Sequence, residues 1–293
     1  MRDRFLRLPP VFFARSVFRL YSRLGATRAA ASLAYFLILT LFPLLMCVNY
    51  FIALLQLDPE AVFSALDSIL PQESLSLILD YLTYVSGIPK SQSDPLFWAS
   101  LFTILISASA GLRVLLKTMD ELYQFTPASS LHRLVGSVVL SLLFLLTIYL
   151  SIVVIFTGDW FFPFLETHLP APLVELIPLR LLDQLWGRLR YLLLFFCMLL
   201  LVLAVYHLGT PRCYRRRRVL RLTALLAAAA LVACSVLFSW FIGLTSRYAL
   251  VYGSLASLIV LLVWLYLCGN ILLVGAAAGR VWIAAHPDPE IFS

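Results

Sequence analysis

Apolar residues in this chain run on without a polar face between them. Uncharged stretches occupy residues 29–57, 95–112, 134–158, 191–211, 222–246 and 248–279. They lack the strict alternation of half-buried strands and the polar stripe of soluble helices. Crossing a hydrocarbon core of about 30 Å takes roughly 20 helical residues, and all of these runs but the second reach that length unaided. The second extends to Met119, because Arg113 and Lys117, one helical turn apart, can send their long side chains to the headgroups. A β-barrel would need ten-residue alternating units, which are absent. The pattern predicts an all-α, polytopic membrane protein. Its six transmembrane helices fall at about 29–57, 95–119, 134–158, 191–211, 219–246 and 248–280, within a membrane domain spanning 29–283.

In 58–94 and 159–190 acidic residues interrupt every apolar stretch before it reaches spanning length, so both are read as outer interfacial segments. The first has Ala61, Ala65 and Ile69, then, after Pro71, Leu75, Leu79 and Leu82 at helical spacing, which predicts an amphipathic hairpin. The second gathers Trp160, Phe161, Phe162, Phe164 and Trp186, the composition of an interface belt. In the N-terminal segment 1–28, Phe13, Val17, Leu20 and Leu24 share one helical face and Arg15, Arg19 and Arg23 another. That pattern predicts a short helix lying in the interface or packed beneath the bundle. Residues 284–293 form a tail.

Charge sets the orientation. Of the 22 basic residues, 17 fall on the side of the N-terminal segment and the link between the fourth and fifth spans; the opposite side holds Lys90, Arg180, Arg188, Arg190 and Arg247. Lys and Arg in short loops are retained in the cytoplasm, which places both termini there. Composition agrees with the membrane reading: 62% of residues are hydrophobic and 13% charged, against roughly 45–50% and about 25% in soluble domains. The net charge of +7 is read as topology-setting charge against anionic lipid headgroups, with Arg215, Arg216, Arg217 and Arg218 as the headgroup-binding patch. The expected partners are membrane lipids and not nucleic acid.

Catalytic chemistry has little to stand on. Cys47, Cys197, Cys213, Cys234 and Cys268 form no C-x-x-C, and His132, His168, His207 and His286 are scattered without ligand spacing. There is no G-x-S-x-G elbow, Walker A loop or H-E-x-x-H pair. Asp120/Glu121 and Asp288/Glu290 read as solvated charges at helix ends. The expectation is a protein with no catalytic residues, metal or cofactor, and not an enzyme.

The polar and small residues inside the spans are more informative. Tyr35, Thr40, Pro43 and Asn49 interrupt the first span, and Pro43 predicts a kink. Ser107, Ala108, Ser109, Ala110 and Gly111 in the second span, and Gly275 and Gly279 in the last, predict close helix packing. Asn49 and Asn270 need partners in an apolar surround.

Trp240 and Tyr248, followed by Tyr-Gly-Ser-Leu at 252–255, Trp-Leu-Tyr at 264–266 and Ile-Leu-Leu-Val-Gly-Ala at 271–276, form an ordered set with Ala-Tyr-Phe-Leu-Ile-Leu-Thr-Leu-Phe-Pro-Leu-Leu at 34–45. Together they resemble the YihY/BrkB family over roughly residues 15–283. The resemblance implies a multi-pass protein of the bacterial plasma (inner) membrane, associated in some members with envelope integrity or virulence and suspected of transport. Some members have carried the label ribonuclease BN, which is not transferred here, because positioned metals or acid-base groups near an RNA path are lacking. Two departures stand out: Ala277 where the family pattern has Glu, and Asp120 near Tyr123 where an Asn is usual.

The function expected is a transporter or flippase-like protein for an amphipathic envelope component, with a non-transporting membrane scaffold as the alternative. Substrate-path candidates are Tyr35, Pro43, Asn49, Tyr252, Gly253, Ser254, Trp264 and Asn270. Because the uncharged runs hold no Asp, Glu, Lys or Arg, any transport is expected to be downhill or partner-driven, without a proton cycle through these helices. The topology is directly testable. Single cysteines at positions 90 and 247 should react with an impermeant thiol reagent on intact cells, and those at 216 and 293 should not; strong labelling at 216 would reverse the orientation.

Overall fold

A computed structural model describes residues 10–54, 90–125, 130–168, 179–211, 214, 217–244 and 255–286. The long elements are all helices: α1 (Pro10–Arg23), α2 (Ala26–Leu54), α3 (Lys90–Tyr123), α4 (Ser130–His168), α5 (Leu179–Gly209), α6 (Arg217–Leu244) and α7 (Leu255–Ala285). Among the described residues there is no strand, and α2 to α7 are each long and apolar enough to cross a membrane, which makes the six spans expected. The helices overrun the uncharged runs: α3 begins at Lys90, α4 continues to His168 and α5 starts at Leu179. Hydropathy marks where lipid begins, whereas backbone hydrogen bonding carries a helix on through the interface. The expected outer hairpin, and the side chains of the 160–164 aromatic cluster, lie outside the described residues.

The spans close into a ring. Each of α2 to α7 packs on its neighbour in sequence, α7 closes on α2, and α3 also touches α5 and α7. The small residues of α3 make this possible. Ser107 donates to the Phe36 carbonyl of α2 (2.8 Å), and Ser109 shares a hydrogen bond with Ser137 of α4 (2.9 Å). A Cβ on Gly111 would stand 3.0 Å from that of Phe36. The outward stripe of α3 carries Trp98, Phe102 and Ile106, then Arg113, Lys117 and Glu121, all exposed. Its apolar part suits lipid, and its charged end leaves Arg113 and Lys117 on the outer surface of the bundle.

Helix α1 belongs to the bundle. Gly25, at φ +61°, turns the chain sharply between α1 and α2, and Arg28 donates its N–H to the Gly25 carbonyl at 2.9 Å. Val17 is buried in the main core, with Phe13, Leu20 and Leu24 packed on it. Phe13 meets Trp282 edge-on at 6.3 Å, and the Tyr21 hydroxyl donates to Asn270 Oδ1, so α1 runs back along the end of α7. The face where they meet is the α1 face of the bundle.

The core is asymmetric along the membrane normal. Its main cluster draws on Ala30 and Leu33 of α2, Leu116 and Met119 of α3, Tyr206 of α5, Ala224 and Ala227 of α6 and Ala276 of α7. These positions all lie in the halves nearest the α1 face. A second cluster, toward the other face, consists of Cys47, Ile104 and Leu145. Two glycines test the packing. A Cβ on Gly275 would collide with the Tyr206 hydroxyl, whereas one on Gly136 would meet nothing nearer than Leu116 at 3.9 Å. Gly275→Ala should therefore destabilise the fold by about 1–3 kcal/mol as an overpacked contact. Gly136→Ala should be neutral or stabilising by up to about 1 kcal/mol, since Ala is the better helix former. Unfolding of the two variants by SDS in mixed micelles measures the difference.

Candidate functional site

Polar chemistry gathers at the α1 face, where α3, α5, α6 and α7 converge. α3 ends in a reversed turn. Gln124 adopts φ 52°, its N–H bonds to the Glu121 carbonyl (3.1 Å) and the Phe125 N–H to that of Asp120 (3.0 Å). This pairing of bonds is a Schellman motif, with Gln in the place usually taken by Gly. The turn leads the chain toward α4, whose Arg133 donates through Nη2 to Asp120 Oδ1 and through Nη1 to the Leu208 carbonyl of α5 at 2.8 Å. The ion-paired side chains are 13% and 7% exposed. The carbonyls of a helix's last turn lack intrahelical partners and carry the negative end of its dipole, so a guanidinium is well placed there. Asp120 is thus not the solvated helix-end charge expected from the sequence: it is buried and holds the cation that ties α3, α4 and α5 together. Glu121, next to it, is exposed as expected.

Beside this pair lies a cleft lined by Tyr123, Tyr206, Thr210, Tyr214, Thr223 and Gly279, among others. The rings of Tyr123 and Tyr214 stand 5.4 Å apart, and Thr210 donates to the Tyr123 hydroxyl at 3.4 Å. Tyr206 donates to the Leu272 carbonyl at 2.8 Å, above the bare Gly275. The Arg280 guanidinium covers the Tyr214 ring at 4.7 Å from its centroid. The cleft encloses about 10 Å³, the room of a single water. On the outer side of the α6–α7 contact lies a groove of about 350 Å³, lined by apolar side chains with Thr223 and Asn270 among them. Thr223 lines both spaces.

The candidate path residues fall in different places. Trp264 donates from Nε1 to Ser235 Oγ at 3.3 Å across the α6–α7 contact. Asn270 is engaged at both ends of its amide, accepting from Tyr21 and donating to the Tyr266 carbonyl at 2.7 Å. Tyr35 points outward, 56% exposed, and makes an edge contact with Phe36, apart from the cleft. Pro43 lies inside α2, and Asn49 is on the same helix with its side chain outside the described residues. Tyr252, Gly253 and Ser254 also lie outside them. In the arginine patch, Arg218 is exposed at the start of α6, Arg217 opens that helix with its side chain outside the described residues, and Arg215 and Arg216 fall outside altogether. Sequence reasoning missed Tyr123, Tyr206, Thr210 and Tyr214. Among the described residues no three His, Cys, Asp or Glu side chains come together as a metal group.

A ring of six apolar helices, closed at one face by a buried ion pair and a tyrosine-lined cleft, defines a multi-pass α-helical membrane protein. The chain belongs to the virulence factor BrkB family, whose model matches residues 17–286. It is 24% identical over 265 residues to the ribonuclease-like protein YfkH of Bacillus subtilis (strain 168), covering 90% of this chain and 92% of that one. No solved structure matches the chain.

The Asp120–Arg133 pair predicts a specific mutational pattern. Asp120→Ala or Arg133→Met alone leaves a buried charge unpaired and should cost about 3–5 kcal/mol. The double variant removes both charges and should lose less than the sum of the two. Stability of the three proteins in mixed micelles gives the comparison.

Proposed function

We propose that the chain is a transporter or flippase-like protein that moves an amphipathic envelope component across the bacterial inner membrane, and that it is not an enzyme. The observation that carries this reading is the α6–α7 seam. On its inner side stand the hydroxyls of Tyr123, Tyr206 and Thr210 with Arg280 over Tyr214; on its outer side is an apolar groove open to lipid; and Thr223 belongs to both. Such a seam offers an amphipath a polar and an apolar surface side by side. The packed α1 face supports reading this conformation as closed on that side. By the basic-residue asymmetry, that side is the cytoplasmic one.

The ribonuclease-like name of the Bacillus relative is not carried to this chain, because the cleft's polar lining is tyrosines and threonines, and no group of metal ligands occurs among the described residues. Energy coupling follows from the charges. The inward carboxylate, Asp120, is paired with Arg133, and using it as a proton carrier would strand that cation. Proteoliposomes loaded with fluorescent phosphatidylglycerol should show protein-dependent movement between leaflets, at the same rate with and without an imposed pH gradient. Movement no faster than in empty liposomes, over a panel of envelope lipids, would favour the scaffold reading. Dependence on the pH gradient that persists in His207→Gln would show a proton route outside these helices' uncharged runs.

A further inference from the structure

We infer that the groove between α6 and α7 is a binding site for one acyl chain of an anionic phospholipid drawn from the leaflet on the α1 side. Its shape comes first. Ala227, Ala230, Gly275 and Ala278 form a floor of small residues, with Leu226 and Val274 rising beside it. The floor is deep because the helices meet closely here: a Cβ on Gly275 would stand 3.2 Å from that of Ala227, and one on Gly279 would stand 3.3 Å from Thr223 Cγ2.

Length and width select the occupant. The groove runs from Thr223 to Cys234 on α6 and from Leu267 to Ala278 on α7, about 16 Å at 1.5 Å per residue. That is half of a hydrocarbon core about 30 Å thick, the depth of one leaflet. A volume of about 350 Å³ is that of a small-molecule site. A partner helix, about 10–12 Å across with its side chains, does not enter a slot between two helices already in contact.

Charge selects the head. Neither α6 nor α7 contains an Asp or Glu, while Arg217, Arg218 and Arg221 occupy the turns of α6 leading to the Thr223 end, and Arg280 lies just past Ala278 on α7. Arg218 and Arg221 are exposed. Arg280 takes no part in the Asp120–Arg133 ion pair. A lipid whose chain lies in the groove therefore brings its head to an end of the seam where α6 and α7 contribute arginines and no acidic residue. The site names the class of amphipath for the function proposed above and rests on that reading for its purpose, but binding is measurable without any transport.

The test uses the purified full chain, incubated in detergent with phosphatidylglycerol or phosphatidylcholine of identical chains, and counts retained lipid by native mass spectrometry. Wild-type protein should retain phosphatidylglycerol in preference. Ala230→Trp and Val274→Trp, which fill the groove from its two helices, should each lower that retention about tenfold, equivalent to about 1.4 kcal/mol. Ala229→Trp, exposed on α6 but outside the groove, should retain lipid as the wild type does. The double variant R218Q/R221Q should lose the preference for the anionic head. Equal retention of the two lipids by the wild type, or full retention in both groove-filling variants, overturns the inference. So does a loss in Ala229→Trp as large as theirs. Phosphatidylglycerol movement in proteoliposomes is scored separately. Binding without movement leaves the site standing and removes the transport reading; movement unaffected by the groove variants keeps transport and takes the groove out of its route.

Discussion

Helices in lipid gain little from the hydrophobic effect when they meet, because acyl chains are as apolar as leucine; what holds them is close contact and hydrogen bonds between them. The contacts in this bundle follow that constraint. Gly111 admits Phe36, Gly269 admits the Ala30 backbone at 3.2 Å from where a Cβ would lie, Gly209 admits Met119, and Gly275 admits the Tyr206 hydroxyl. Each joins a different pair of helices: α3 with α2, α7 with α2, α5 with α3, and α7 with α5. Their small residues sit toward the α1 face, and so does the main core. The asymmetry of the bundle is therefore a consequence of where glycine, alanine and serine fall along each helix. Many large apolar side chains, among them Phe102, Leu146 and Val236, face outward and cost nothing in lipid.

The same constraint explains the buried Asp120–Arg133 pair. A guanidinium taken out of water must be paired and hydrogen-bonded; Arg133 is so held at both Nη atoms, by a carboxylate on α3 and a carbonyl on α5, while its buried Nε finds no partner. The two departures from the resembled pattern make sense together. Ala277 is wholly buried in the core, so α7 brings no carboxylate inward; Asp120 does so from α3. An Asn at position 120 could accept a hydrogen bond from Arg133 but would leave its charge uncompensated.

How much of this was legible depends on the distance over which each feature is encoded. Six spans are written locally, since every run must cover its own length of hydrocarbon, and the serine–alanine–glycine run of α3 announces its packing for the same reason. Helix ends are less legible, because α3 and α4 continue through residues whose polarity suits the interface. Asp120 was misread because its environment is set by Arg133, across a turn that the sequence marks only with Gln124 at a position favouring glycine. A carboxylate near the end of one span and an arginine at the start of the next, over a short link, was the signal available. The cleft was less legible still: Tyr123 and Tyr206 meet only through the ring order of the helices. Asn270 was picked out as a polar group needing a partner, and Trp264 as an aromatic path candidate. Their partners, Ser235 and Tyr21, lie on other helices and could not be read from α7 alone.

Those partners bear on how a polar head could travel within so apolar a bundle. Along the α6–α7 seam, Thr223 bonds back to the Val219 carbonyl at 2.9 Å, Asn270 holds Tyr21 and its own helix, and Ser235 accepts from Trp264. Thr223 to Ser235 covers about 18 Å of helix, more than half of the hydrocarbon core. All of these groups are neutral and already satisfied by neighbours that exchange easily: a backbone carbonyl, a tyrosine hydroxyl, an indole N–H. A neutral ladder of this kind leaves no unpaired charge in lipid when nothing is bound. On the proposed reading, a head moving along it replaces one protein hydrogen bond with another at each rung, so the barrier at each step is the exchange of a bond and not its loss. A fixed cation at mid-seam would bind an anionic head more tightly and hold it there. Confining arginine to the ends, as this chain does, suits a site that must also let go.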